Sequence, residues 1–214
     1  GPDDSNIYVG GVGLTGDKDT PAYALTDKSG KVTTTGATAD NYNIMWDGET
    51  LTLKGATITQ GSHENAAIYC GEDAGIHLVL VGESTVTGPS GVDASRGIYT
   101  RGELTISGSG SLTVTGGDVT AAGTDYAESC GIDADNVIGS GGTVNADGGT
   151  ASATGNVSYA CSYGISVYGS IDISGGAVTA DGGEVTFTGS DGYACSYGIS
   201  VYGSIDISDG IVNA

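Results

Sequence analysis

The fold class this sequence predicts is all-β: a right-handed parallel β-helix, or β-solenoid, of about six coils with an N-terminal β cap. Three observations predict it. The first is a long internal repeat: YACSYGISVYGSIDIS at 159–174 recurs unchanged at 193–208, an offset of 34 residues. The second is alternation within each repeat, where Ile165, Val167, Ile171 and Ile173 are separated by Ser, Thr or Asp. That is strand spacing, with one face in and one face out. The third is composition: 40 Gly but only 1 Phe, 1 Trp and 3 Pro, with Thr, Ser, Val and Ile between the glycines. Glycine without a collagen period marks frequent turns between short strands.

Taken in chain order, residues 1–41 form the expected cap. The Gly1-Pro2 opening reads as a protease-cleavage scar on a piece of a longer protein. NIYVG (6–10) and KVTTT (31–35) read as strands outside the repeat. A cap is needed because an open solenoid end is a bare sheet edge. Residues 42–214 hold the coils. One inward column runs Ile44, Ile68, Ile98, Ile132, Ile165, Ile199, and two residues on stand Trp46, Cys70, Thr100, Ala134, Val167, Val201. A third runs Leu51, Leu78, Leu104, Ile138, Ile171, Ile205. Corners fall at Tyr168-Gly169 and Gly175-Gly176. A fourth short strand recurs as DVTAAG (118–123), TASATG (150–155) and EVTFTG (184–189), each followed by a variable loop. A period near 34 also suits helical repeats, but helical periodicity is missing. The hexapeptide rhythm usual in left-handed solenoids is missing too. One coil cannot bury its apolar face alone; stacked coils about 4.8 Å apart can.

Charge narrows the partners. Six Lys and Arg against 26 Asp and Glu leave a formal charge of −20, and no basic residue follows Arg101. Nucleic acid and anionic membranes would be repelled. Neutral sugars and multivalent cations would not. No apolar run is long enough to span a bilayer, and a monomer is expected.

At GIYTRGELTISGSGSLTVTGG (97–117) and GISVYGSIDISGGAVTADGG (164–183) the chain resembles clostridial and gut Firmicutes surface proteins with carbohydrate-binding β-helix domains, related in fold to pectate lyases. NIYVGGVGLTG (6–16) and NIMWDGETLTLKGATIT (43–59) resemble the entry to such domains. The resemblance implies glycan binding without catalysis, sometimes with calcium, outside the cell. It supplies no residue-by-residue motif.

The residues themselves offer two candidate sites. In SIDIS, Ile171 and Ile173 point inward, so Asp172 points out, with Asp206 one coil away. Two like charges at that spacing repel by roughly 1 kcal/mol in water, a cost that bound Ca²⁺ would remove. Asp133 and Asp135 form a second outward pair. The alternative is that these aspartates are hydrated surface charges beside a dominant Ile ladder. The second candidate is aromatic. Six of 12 Tyr lie in the two near-identical coils, and Tyr163, Tyr168, Tyr197 and Tyr202 are assigned to carbohydrate. Rings on a flat sheet can carry pyranoses; otherwise they pack on loops and on one another. Catalysis finds less support. A lyase would draw its base from Lys54, Arg96, Arg101, His63 or His77, and the GHG and RIK strings of β-helix hydrolases are absent.

Cys161 and Cys195 share a register. Disulfide torsions are demanding, so stacked thiols are expected there. Cys70 reads as core, and Cys130 aligns with Tyr163. The leading reading is therefore a non-catalytic surface module that binds polysaccharide, or mediates adhesion to a host glycan or protein, with calcium as candidate cofactor. The alternatives are a structural stalk displaying another domain, and a polysaccharide lyase or hydrolase.

Overall fold

The computed structural model describes residues 7–71, 73, 75–123 and 125–214. The Gly1-Pro2 opening lies outside them. Among the described residues there is no helix, and the strands form four sheets that run along a solenoid.

The first sheet stacks five parallel rungs: Ala66–Cys70, Ala94–Thr100, Ala127–Ala134, Tyr159–Val167 and Tyr193–Val201. Five rungs make four turns between the first and the last, fewer than the six coils expected. The second sheet has six parallel strands, Thr50–Lys54, Ile76–Val81, Glu103–Gly108, Asn136–Gly139, Ile171–Ile173 and Ile205–Ile207. The third also has six, from Thr57–Ile58 to Ile211–Asn213. The fourth holds Val119–Ala122, Ala151–Thr154 and Val185–Phe187.

Inward Ile, Leu and Val from the first three sheets make one continuous core, with Ile68, Ile98, Ile132 and Ile165 stacked in register and almost fully buried. Each such side chain contributes roughly 1.5–3 kcal/mol. A second, smaller core of Val119, Ala127, Ala151, Ala153, Val157 and Ala160 lies under the fourth sheet.

All three expected columns are corrected, two at their first member and one in its middle. Ile44 and Trp46 do not begin the inward columns, because Ile44–Trp46 runs antiparallel to Thr50–Lys54 in the second sheet. Antiparallel strands finish this end: Ile7–Val9 pairs with Ala66–Cys70, and Ala22–Thr26 with Ile44–Trp46. Ile138 also leaves its column. Val137 pairs with Ile171, which sets Ile138 beside Asp172 on the outer face. The run Val137-Ile138 is apolar at both parities, and a one-residue slip exchanges the faces of a strand.

Between the two cores runs a buried serine ladder, Ser95, Ser129, Ser162 and then the more open Ser196. Ser129 Oγ donates to Gly117 O at 2.6 Å and accepts from Gly149 N–H at 2.9 Å. Ser162 repeats this between Gly149 and Gly183, at 2.7 and 2.8 Å. Each hydroxyl thus satisfies a corner of its own coil and of the coil before. The paired glycines are required there: a Cβ on Gly148 would collide with Ser162 Oγ, and one on Gly149 with Gly117 O.

Candidate functional site

The long rungs of the first sheet alternate inward and outward residues except at the glycine before each core isoleucine, where the outward spacing widens to three, as from Tyr163 to Ser166. A groove of about 390 Å³ lies on their outer face. Tyr99 and Arg101 line it at the first coil it touches, and Glu128, Asp133 and Asp135 at the next. Tyr159, Tyr163, Ser166 and Tyr168 follow, then Tyr193, Ser200 and Tyr202. Four successive rungs contribute, and three rung spacings give a floor roughly 14 Å long.

Register turns the repeated tyrosines into stacks. Ring centroids are 4.9 Å apart for Tyr126 and Tyr159, 5.3 Å for Tyr159 and Tyr193, and 6.0 Å for Tyr163 and Tyr197. Tyr168 and Tyr202 stand 5.3 Å apart at an interplanar angle of 37°. Such pairs contribute about 0.5–1.5 kcal/mol beyond their burial. Two rings are anchored by their hydroxyls: Tyr159 donates to Glu128 Oε2 at 2.8 Å, and Tyr163 lies 3.2 Å from Cys195 Sγ. Burial beside Glu128 pushes both phenols well above their ordinary range. Tyr168 and Tyr202 have no such anchor and are 76% and 82% exposed.

Beneath the tyrosines sits a half-buried charge cluster. Arg96 Nε donates to Asp133 Oδ2 at 3.1 Å, and Nη2 lies 3.9 Å from Glu128 Oε1. The same guanidinium covers the Tyr99 ring at 4.6 Å. Cys130 Sγ approaches Glu128 Oε1 at 3.6 Å. Two carboxylates share one cation here, and both are largely out of water. Burial raises the Asp133 carboxyl to about 6, a push that Arg96 opposes and Glu128 reinforces. Burial also raises the Cys130 thiol well above its usual range.

Among the described residues, the one group of three or more ligand-type side chains close enough for a metal is Glu128, Cys130 and Asp133. Its charged side is already occupied: Arg96 ion-pairs with both carboxylates. The four expected calcium ligands do not assemble. Asp172 and Asp206 are register neighbours on the second sheet, both exposed, with Ile138 in the preceding rung. Asp133 is engaged by Arg96 in the first sheet, and Asp135 lies on the groove. Two exposed carboxylates supply only part of the six to eight oxygens Ca²⁺ takes, which carbonyls and water also provide.

The groove does bring together Tyr163, Tyr168, Tyr202, Asp133 and Asp135 from the expected set. Tyr197 stacks on Tyr163 without lining the groove. Sequence reasoning missed Tyr99, Arg101, Glu128, Tyr159 and Tyr193 as lining residues. The available signal was register: Tyr99, Asp133, Ser166 and Ser200 occupy one outward column.

The stacked thiols are also corrected. Cys161 and Cys195 form a disulfide, with Cα atoms 4.6 Å apart. Exact register between neighbouring rungs brings their Cα atoms inside disulfide range. Cys130 pairs in register with Tyr163, as aligned, and Cys70 is buried. No protein-family model, curated protein or solved structure matches the chain.

Proposed function

We propose that this solenoid is a non-catalytic, extracellular carbohydrate-binding module whose ligand lies along the tyrosine groove of the first sheet. The observation that carries the reading is the pair Tyr168 and Tyr202. Large aromatic rings exposed side by side, on a rigid sheet and beside a groove of ligand size, suit the apolar faces of pyranose rings. Asp135, Ser166 and Ser200 supply acceptors and hydroxyls for sugar hydroxyls along the same floor. The absence of a basic residue after Arg101 suits a partner other than a polyanion. The engagement of Glu128 and Asp133 by Arg96 favours a positioning role for these carboxylates over acid–base chemistry. A disulfide between the last two rungs is consistent with an oxidising location.

A glycan array probed with the protein and with a Tyr168→Ala/Tyr202→Ala variant tests the proposal. Binding that falls at least tenfold in the variant supports it. Binding that is unchanged, or absent from every glycan, overturns it. Chelation with EGTA is expected to leave binding intact, since the groove offers no calcium cage.

A further inference from the structure

The charges around the groove select among sugars, an inference that rests on the carbohydrate reading above. Its cations are gathered at one end. Arg96 lies below the floor and is shared by Asp133 and Glu128. Arg101 sits beside Tyr99 and Tyr69. Along the remaining rungs of the groove stand Tyr159, Tyr168, Tyr193 and Tyr202. Asp135, on the rung next to that of Arg101, is exposed and, among the described residues, has no ion-pair partner. Tyrosine faces carry negative quadrupole potential and attract cations. The carboxylate of Asp135 adds a full negative charge within the same groove, and the chain as a whole carries −20.

From this juxtaposition we infer that the preferred ligand is a glycan bearing free, protonated amino groups, a deacetylated amino-sugar polymer, rather than an acidic or fully acetylated one. The sugar rings lie on the tyrosines, and an ammonium meets Asp135 and a neighbouring aromatic face. An N-acetyl group keeps the ring contact but removes the charge and adds bulk. A uronate would bring its carboxylate against Asp135.

Calorimetry with glucosamine and N-acetylglucosamine oligomers of equal length tests the inference at about pH 6, where the sugar amine holds its proton. The glucosamine oligomer is expected to bind about fivefold tighter, the factor that one exposed cation–aromatic contact supplies. Asp135→Asn is expected to shrink that preference. Asp172→Asn removes the same charge from another sheet and is expected to keep it. If the two oligomers bind equally and both lose affinity in Tyr168→Ala/Tyr202→Ala, the charge inference falls while the carbohydrate reading stands. If neither binds, the amino-sugar inference is overturned, while the carbohydrate reading stands or falls on the glycan array. An oligolysine of matched charge completes the set. Should it bind as tightly as the glucosamine oligomer, with no effect of the tyrosine substitutions, the attraction is diffuse and the inference is overturned.

Discussion

Two outward aspartate positions, one on each of two sheets, show how far the same repeat can be turned to different ends. On the second sheet Asp172 and Asp206 are register neighbours, exposed, and surrounded by water. On the first sheet Asp133 also points outward, yet it is largely buried and bonded to Arg96, 37 residues away. The difference lies in the neighbours. Short rungs of three residues leave Asp172 and Asp206 uncovered, whereas Asp133 has Arg96, Glu128 and its register neighbour Tyr99 packed around it. Outwardness in a solenoid is thus a direction and not a degree of solvation.

The largest effect expected from breaking this contrast comes from Arg96. Arg96→Met leaves Glu128 and Asp133 facing each other without their cation, and a loss of about 3–5 kcal/mol is expected in chemical denaturation near neutral pH. Asp172→Asn, the matched change on the open sheet, should stay within about 0.5 kcal/mol.

Next is the disulfide, which belongs to the same face. Cys161→Ser/Cys195→Ser releases a 34-residue closure and is expected to cost about 3–4 kcal/mol, felt first in the last coil. Hydrogen exchange that rose equally in all coils would argue against a local staple.

The pH response sharpens the comparison further. The carboxyl of Asp133 titrates near 6 in the folded protein and near 3.8 when unfolded. Between those values the unfolded chain has released a proton that the folded protein still holds. The stability from this residue is therefore full below about pH 4 and is lost as the pH rises through 6, by about 3 kcal/mol. Asp133→Asn should flatten that slope in melting curves taken from pH 4 to 7. A slope that persists would assign it elsewhere.

The smallest of these effects comes from the seam between the two cores. Ser129→Ala strips Gly117 O and Gly149 N–H of their partner, and about 1–2 kcal/mol should be lost. Ser196→Ala, near the more open last rung, should cost less.

The repeat made the fold and its Ile ladder legible, because Ile98, Ile132, Ile165 and Ile199 recur in one register with polar residues between them. Legibility failed where that signal thins. Ile44 carries an inward alternation that an antiparallel strand satisfies as well as a parallel one. Val137-Ile138 offers two apolar residues for one inward place. The tyrosine groove was half legible: the tandem copies announced Tyr163, Tyr168 and Tyr202, while Tyr99 and Glu128 come from coils too diverged to align by eye. The Arg96–Asp133 pair could be found only once the register was known, since nothing local links residues 37 apart. The serine ladder was visible in principle, as Ser95, Ser129, Ser162 and Ser196 at intervals of 34, 33 and 34, each coil carrying a Gly-Gly step.

That ladder has a consequence for how the molecule can be lengthened. Ser129 and Ser162 each join a glycine of their own coil to one of the coil before, so the stack has a whole-coil pitch, like a thread that accepts only full turns. A fragment of a turn inserted in a rung would misalign every later serine. A copied unit of 34 residues, such as the one separating Tyr168 from Tyr202, would slot in with its bonds intact. Each copy would add three tyrosines and about 4.8 Å to this face, which makes its reach along a polymer a matter of counting coils.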